Sequence, residues 1–423
     1  MKRILPIALV PLAFAAASIS AQTPVSFTVD PLWPKPLPNH WLLGSVTGVA
    51  VDASDHVWVV HRGYDSMTAR TEIGAATTPK TAEECCVPAP PVLEFDPAGN
   101  LVGHWGGPGQ NYDWPVSPGG IAFDAKGNLW ITAAGPPEIP GSANATAARG
   151  RSAVVPPAGA GAAAPGRGRA TGPAATPRPQ DAHVLKFSRT GDFLLQIGKA
   201  GAPGGNDSTT ALNRPAGLGL DATGTEVYVA DGFVNRRVVV FDAATGAYKR
   251  HWGGSGDKPQ ATPVAAPGSG DKPELTPAAA PVSDASPGRQ FRSVGCVKVA
   301  RDGTVYVCDR GNNRIQAFDK SGKLLKQGIV SKATRGTGSV WDLALSTDPQ
   351  QRFLYVADGH DQKLFIVRRD TLETVGSFGD GGRYPGSFYS VGSVAVDSRG
   401  NVYTGETLEG KRVQKFVPKG AAR

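Results

Sequence analysis

The sequence predicts an all-β protein, a six-bladed β-propeller whose blades are four-stranded, antiparallel sheets. The 54 Gly and 36 Pro among 423 residues favour many turns over long helices. A phrase also recurs along the chain: an apolar strand ends in Asp, and a Gly-containing turn leads to a strand of the form Val-Tyr-Val-x-Asp. A third strand then ends in Phe-Asp, and a fourth closes on Trp-Gly or Phe-Gly. Because one such unit cannot bury both faces of its sheet alone, the repeated units are expected to close into a ring.

Six copies of this phrase are present, and their strands are rich in Val, Tyr and Ile, which favour strands. An open β-solenoid and a seven-bladed ring are the alternatives, and the number of copies favours six blades. The second and third strands of the copies lie, in chain order, at 57–60 and 92–96, 129–132 and 184–187, 227–231 and 237–242, 305–309 and 314–318, 354–358 and 364–367, and 401–404 and 412–416.

The last copy lacks a fourth strand after Phe416. Near the other end of the chain, residues 26–30 read Ser-Phe-Thr-Val-Asp and alternate in polarity as a strand does. We therefore expect this N-terminal segment to supply the missing outer strand and to lock the ring.

The first 22 residues predict a secretory signal peptide. Lys2 and Arg3 precede an apolar run over 4–17, and small residues follow up to Ala21. The run is too short for a membrane span, and no later segment reaches about 18 consecutive apolar residues. We expect an exported protein, periplasmic or extracellular, with no membrane span and with one propeller domain at 23–423.

Two low-complexity inserts interrupt the repeat, at 135–180 and 255–289. Ala, Gly and Pro dominate both, so neither can bury enough apolar area to offset the entropy lost on ordering. We interpret both as long loops inside blades. Much of the net charge of +8 comes from the signal peptide and from arginines of the first insert, and no RNA-binding motif accompanies it. Nucleic acid is therefore not an expected partner, and nothing in the residues predicts an oligomeric state.

Four cysteines are present, at Cys85, Cys86, Cys296 and Cys308. Export permits disulfides, and four cysteines allow three pairings that the sequence does not separate. Cys296 and Cys308 flank a predicted hairpin turn, so a bridge between them depends on the strand register. Adjacent cysteines such as Cys85 and Cys86 do not bridge easily to each other.

One stretch carries a resemblance to a known family. Residues 307–316, Val-Cys-Asp-Arg-Gly-Asn-Asn-Arg-Ile-Gln, are characteristic of NHL repeats. More narrowly, His-Arg-Gly at 61–63 and the residues at 231–237 resemble peptidyl-α-hydroxyglycine α-amidating lyase, a secreted six-bladed zinc propeller. The resemblance covers most of residues 42–418 outside the inserts.

In that lyase, three histidines at the openings of innermost strands hold zinc at the mouth of the central channel, and a calcium ion lies in the channel. Here Gly119, Gly295 and Gly392 stand at the histidine positions, and glycine offers no metal ligand. Ser393 stands where a carboxylate contact to calcium is expected. Zinc and calcium are thus implied by the resemblance alone, and the residues predict neither cofactor.

The resemblance also implies site arginines. Arg62 matches the arginine that acts beside the zinc, Arg310 matches a second arginine of the site, and Phe233 replaces a tyrosine and cannot take a proton. We expect Arg62 and Arg310 to bind an anion at the channel mouth. The alternative is that they form structural ion pairs with Asp309 or Asp231.

Two functions remain open. The first is a binding or scaffold module with a degenerate lyase-like site, whose ligand is a peptide or a small carboxylate-bearing molecule. The second is a peptidyl-α-hydroxyglycine lyase-like enzyme with rebuilt metal ligands. Without the three imidazoles and the phenol, the lyase chemistry lacks both its Lewis acid and its base, which favours the binding module. His61 and His360 are the two histidines expected near a blade face, where either could line a pocket.

Overall fold

Six four-stranded antiparallel sheets form a ring in the computed structural model, which describes residues 26–67, 72, 86–135, 179–259 and 288–419. The predicted signal peptide and most of both predicted inserts lie outside these residues. From the innermost strand outward, blade 1 contains β3 (Val46–Val51), β4 (Val57–His61), β6 (Val92–Phe95) and β7 (Leu101–Trp105), blade 2 contains β8 (Pro118–Phe123), β9 (Leu129–Ala133), β10 (His183–Phe187) and β11 (Phe193–Gly198), and blade 3 contains β12 (Gly217–Leu220), β13 (Glu226–Asp231), β14 (Arg237–Asp242) and β15 (Tyr248–Trp252).

The remaining blades repeat this order, which confirms the predicted fold class. Blade 4 contains β16 (Val294–Val299), β17 (Val305–Asp309), β18 (Arg314–Phe318) and β19 (Leu324–Ile329), blade 5 contains β20 (Asp342–Leu345), β21 (Phe353–Asp358), β22 (Lys363–Arg368) and β23 (Thr374–Phe378), and blade 6 contains β24 (Val391–Val396), β25 (Val402–Glu406), β26 (Arg412–Pro418) and β1 (Phe27–Asp30). A parallel pair, β2 (Trp41–Leu42) with β5 (Val87–Pro88), and short 3₁₀ turns at Gly63–Ser66, Gly254–Gly256 and Arg310–Asn312 complete the described elements.

The burial of the strands follows from the stacking of blades. The second and third strands of blades 2 and 4 are buried along their whole length, because a neighbouring sheet covers each face. The outer strand of blade 4 alternates between half-buried and exposed residues, as expected of a strand at the rim. The cores therefore lie between sheets, where residues of adjacent blades meet in shared apolar clusters.

The innermost strands of successive blades contact each other around the ring, and β24 returns to contact β3. Glycines permit this close approach of backbones. A Cβ placed on Gly48 would lie 2.9 Å from Gly119 O, and one on Gly219 would lie 2.7 Å from Val297 O. Larger residues at these positions would push neighbouring blades apart.

The N-terminal segment closes the ring, as predicted. β1 pairs with β26 over four residue pairs, from Phe27 opposite Pro418 to Asp30 opposite Lys415. The Phe27 ring packs edge-on against Tyr355 at 5.5 Å and lies 4.7 Å from Phe378. The first described strand thus completes the last blade and contacts blade 5.

Hydrogen bonds tie together the two ends of each insert. Gly135 N donates to Asp181 Oδ2 at 2.6 Å, and Asp181 N donates to Gly135 O at 3.1 Å. At the second insert, Arg289 pairs with Asp257 at 2.8 Å. The blade side of each insert is therefore fixed by contacts among described residues.

Cys296 and Cys308 stand directly opposite each other in β16 and β17 and form a disulfide. The register left open by the sequence thus favours this pairing. Cys86 is also disulfide-bonded, through a partner outside the described residues. Within the described part of the chain, no helix has the length and apolar character needed to cross a membrane.

Replacing Phe27 with Ala tests the ring closure. Phe27→Ala should lower the free energy of unfolding by about 3 kcal/mol, because a buried aromatic side chain leaves a cavity between blades 5 and 6. Urea denaturation followed by circular dichroism measures this. The neighbouring exposed Thr28→Ala serves as the control, and equal small effects of the two variants would contradict a closing role for β1.

Candidate functional site at the mouth of the ring

The second strand of each blade ends, and the first strand begins, at the same face of the ring, which we call the mouth face. Arg62 and Arg310 both lie there, at the ends of the second strands of blades 1 and 4. These blades are opposite in a six-membered ring, so the two predicted site arginines share one face and occupy opposite sides of it. The residues that follow the six second strands are, in blade order, Arg62, Ala134, Gly232, Arg310, Gly359 and Thr407.

A fully buried hydrogen-bond acceptor stands at the mouth-face end of each blade, and we call these residues the mouth acceptors. Most of them accept from a backbone N–H of the segment that leads into a first strand. Arg292 N donates to Asp309 at 2.9 Å, and Tyr389 N donates to Glu406 at 2.9 Å. In blade order the mouth acceptors are His61, Asp181, Asp231, Asp309, Asp358 and Glu406.

Three mouth acceptors are carboxylates that pair with an arginine at the start of the third strand of the same blade. Buried carboxylates need such partners, because an uncompensated buried charge is costly. Asp309 and Asp231 are therefore engaged in pairs that involve neither Arg310 nor Arg62, which contradicts the structural ion pairs considered above. The pairs are Asp231–Arg237 at 2.9 Å, Asp309–Arg314 at 2.7 Å and Glu406–Arg412 at 2.7 Å.

His61 is the mouth acceptor of blade 1. Its Nδ1 accepts from Gly44 N at 3.1 Å and Gly63 N at 3.0 Å, and its Nε2 lies 2.9 Å from Pro90 O. Since Nδ1 accepts two N–H donors, the proton is on Nε2 and is donated to Pro90. Burial lowers the pKa of His61 to about 4, so the ring is neutral at pH 7. Both ring nitrogens are engaged in hydrogen bonds, so His61 fixes the backbone at Gly44, Gly63 and Pro90 and offers no free atom to a metal ion.

Arg310 differs from the paired arginines, because no carboxylate of the described residues forms an ion pair with it. Its Nε donates to Thr337 O at 3.0 Å, and its Nη2 donates to Thr337 Oγ1. Its Cζ lies 3.7 Å from the centre of the Trp341 ring, a close cation–π contact. Desolvation lowers the pKa of Arg310 to about 9, so the guanidinium is still charged at pH 7.

Arg62 lines a different part of the mouth face. It is half-buried at the edge of a cavity of about 630 Å³ between blades 1 and 2. Prolines and the aromatic rings of Tyr112 and Trp114 form much of the cavity wall. The structure thus puts both arginines at accessible positions but in separate surroundings.

The three glycines at the resembled zinc positions do not fit a metal. A Cβ on Gly119 would lie 2.4 Å from Thr132 Oγ1, and a Cβ on Gly295 would lie 3.0 Å from Trp341 O. Next to Gly392, the Trp341 ring would be 3.7 Å from an added Cβ. No side-chain donor stands at any of the three positions, so we derive no zinc chemistry for this chain.

The other positions implied by the resemblance give the same result. Ser393 is buried against Gly405 and does not supply the carboxylate expected for calcium. Phe233 is 42% exposed on the mouth face, with Arg214 Cζ 6.0 Å from its ring centre, and has no titrating group. His360 is exposed beside Thr337 and Trp341, so it lies in the surroundings of Arg310.

One cluster of metal-ligand residue types lies at the opposite face of the ring. Ligand atoms of Asp52, His56 and Glu94 lie within 4.8 Å of one another. Arg189 already supplies a positive charge there, at 2.7 Å from Asp52 Oδ2, and it also contacts Glu94. A cation would have to displace this guanidinium, so the cluster is accounted for as an ion-pair network.

The ring and its repeats define a six-bladed repeat propeller. The sequence model of the NHL repeat matches residues 291–318, which include β17 and β18 of blade 4. The chain is accordingly a six-bladed β-propeller that contains an NHL repeat in blade 4. No curated protein sequence matches it.

Several solved structures are similar in chain path. A virginiamycin B lyase from Staphylococcus aureus is 10% identical, with 93% of this chain and 89% of that chain covered and a TM-score of 0.43. A streptogramin B lyase is 10% identical, with coverages of 93% and 98% and a TM-score of 0.46. A Bacteroides thetaiotaomicron protein of unknown function is 12% identical, with coverages of 89% and 70% and a TM-score of 0.45. At these values the similarities carry no information about activity.

Sequence reasoning missed Thr337 and Trp341, the two residues that hold Arg310. Trp341 immediately precedes β20, at the blade position where Gly295 and Gly392 stand in the neighbouring blades. Aligning the six innermost strands would have found this large aromatic residue among small residues. Thr337 lies in the connection from blade 4 to blade 5, which has no counterpart in the repeat phrase.

Breaking one buried pair tests the role of the mouth acceptors. Arg314→Met should cost about 3–5 kcal/mol of unfolding free energy, because Asp309 is left buried without its partner. The exposed pair Arg368–Asp370 is the control, and Arg368→Met should cost less than about 1 kcal/mol. Urea unfolding measures both, and similar small losses would argue against the buried pair as a stabilising contact.

His61 should make stability depend on pH. Its folded-state pKa of about 4 lies below the unfolded value of 6.5, so the unfolded chain takes up the proton first. The contribution of neutral His61 to the free energy of unfolding is fully present above about pH 6.5. It decreases as the pH falls towards 4, by about 3 kcal/mol in total. His61→Gln should flatten this part of the stability–pH curve, whereas the exposed His104→Gln should not. An unchanged slope in His61→Gln would refute the assignment.

Proposed function

We propose that this propeller is a binding module and that its mouth face takes a ligand with a carboxylate group. The observation that carries the proposal is Arg310, a charged guanidinium without a carboxylate partner among the described residues. By contrast, the arginines that begin the third strands of blades 3, 4 and 6 are each neutralised by a mouth acceptor. A cation left in this state favours an anion from outside the chain, most strongly a carboxylate that accepts two N–H bonds.

Arg62 offers a second anion contact on the other side of the mouth. It lines the cavity between blades 1 and 2, whose volume of about 630 Å³ is in the range of small-ligand sites. A peptide bearing a free carboxyl end, or a smaller carboxylate with an apolar body, suits Arg310, whereas the cavity wall beside Arg62 also carries Asp65 and Asp113. We therefore keep Arg310 as the primary contact and Arg62 as a secondary one.

We also propose that binding takes place outside the cytoplasm. The disulfide between Cys296 and Cys308 supports this location, because structural disulfides persist in oxidising compartments. The predicted signal peptide at 1–22 is consistent with the same location. A lyase-like activity has no comparable support, because the residues at its metal positions are glycines.

Peptide binding tests the proposal. N-acetylated tripeptides with a free carboxyl end should bind the wild-type protein in calorimetric titration, and the same tripeptides with carboxamide ends should not. Arg310→Gln should raise the Kd at least about tenfold, because a hydrogen-bonded charge pair is lost. Arg335→Gln removes the same charge from an exposed position on the same connection and should leave the Kd within about twofold. Equal binding of acids and amides, or unchanged binding by Arg310→Gln, would overturn the proposal.

A further inference from the structure

The guanidinium of Arg310 is held along one of its edges. A guanidinium has five N–H groups, and the Nε–H and one Nη2–H point in the same direction. In Arg310 both of these bonds go to Thr337, to its backbone oxygen at 3.0 Å and to its hydroxyl oxygen. The free N–H groups are therefore those at the Nη1–Nη2 end.

This free end is open to a ligand. Nη1 has no hydrogen-bond partner among the described residues, and it is not one of their buried unsatisfied atoms, so it keeps contact with solvent. Two roughly parallel N–H groups at this end match the two oxygens of a carboxylate. The arrangement defines an end-on binding edge.

His360 fixes the orientation of Thr337. Thr337 N lies 3.0 Å from His360 Nε2, and Thr337 Oγ1 lies 2.9 Å from the same atom. A backbone N–H can only donate, so Nε2 accepts and the proton of the imidazole is on Nδ1. The Thr337 hydroxyl then donates to Nε2 and turns its lone pairs towards Arg310. The donor and the acceptor of each hydrogen bond between Arg310, Thr337 and His360 are thereby determined.

Trp341 covers one face of the guanidinium. The ring centre is 3.7 Å from Arg310 Cζ, which is van der Waals contact. The indole N–H donates to Gly338 O at 2.8 Å, and a Cβ on Gly359 would lie 2.6 Å from the ring. The indole is thus held between the guanidinium and the backbone of blade 5, and it cannot move away from Arg310 freely.

We propose that Thr337 and Trp341 are specificity-determining positioning residues, which present only the Nη1–Nη2 end of Arg310 and select planar carboxylates over tetrahedral anions. This inference rests on the proposed function, because it describes how the same arginine binds. A carboxylate lies in the plane of the guanidinium. A tetrahedral anion bound by two oxygens places a further atom on each side of that plane, and on one side it approaches the indole.

Three probes that share a phenyl ring separate these possibilities: benzoate, which is planar, benzenesulfonate, which has the same charge and a tetrahedral head, and benzamide, which is neutral. We expect wild-type protein to bind benzoate at least about fivefold more tightly than benzenesulfonate, with the least binding for benzamide. Trp341→Leu should weaken benzoate binding and bring the ratio of the two Kd values close to one. A change in the ratio of the two Kd values reports on selection by anion shape. A general loss of stability would weaken the binding of both anions equally and leave this ratio unchanged.

Thr337→Val tests the hydroxyl, and Thr337→Ser is its matched control. Thr337→Val should raise the Kd for benzoate by about tenfold, because one hydrogen bond to a charged group is lost, and Thr337→Ser should stay within about twofold. Equal wild-type affinities for benzoate and benzenesulfonate, with both lost in Arg310→Gln, would overturn the shape selection and leave the proposed function standing. Benzoate binding that survives Arg310→Gln would overturn both. No detectable binding of benzoate would overturn the selection proposed here, whereas the tripeptide titrations decide the proposed function independently.

Discussion

The buried acceptor at the mouth-face end of each blade is the interaction on which the rest of the structure depends. It joins the end of a blade to the chain segment that enters the innermost strand, so each blade begins and ends at a fixed place. In blades 3, 4 and 6 the acceptor is a carboxylate neutralised by an arginine of the same blade. In blade 1 the neutral imidazole of His61 accepts the equivalent hydrogen bonds without carrying a charge. In blades 3, 4 and 5 this acceptor is the Asp that ends the Val-Tyr-Val-x-Asp strand of the repeat phrase.

The same constraint explains why Arg310 stands apart. In blades 3, 4 and 6 the arginine at the start of the third strand forms an ion pair with the mouth acceptor. Arg310 instead directly follows the mouth acceptor Asp309 and contacts the connection from blade 4 to blade 5. There its guanidinium contacts Thr337 and Trp341, and the charge of Asp358 acts on it without forming an ion pair. A charge that the fold does not use for its own stability is available for recognition, and its neighbours determine which part of it is presented.

The fold could be predicted from the sequence because its signals are local and repeated. The strand phrase, the count of six copies and the completion of the last blade by residues 26–30 all depend on alternation and turn residues within short windows. The candidate site could be predicted only in part. Arg62 and Arg310 were found through a resemblance, but Thr337 lies in an irregular connection whose path no periodicity describes. His61 was expected near a pocket and does line the cavity between blades 1 and 2. Its structural role, which depends on its burial and on the N–H groups of Gly44 and Gly63, could not be read from the sequence.

The tied ends of the first insert have a consequence for how this chain can change. Because Gly135 and Asp181 are bonded to each other and to the blade, the two points between which the predicted insert lies are fixed. The entropic cost of closing a loop grows only with the logarithm of its length, so residues can be gained or lost between these two points at little cost to the blade. Insertions and deletions between Gly135 and Asp181 should therefore be tolerated, both in evolution and in engineered variants. A reporter domain inserted there would be attached to the ring through contacts that are already present.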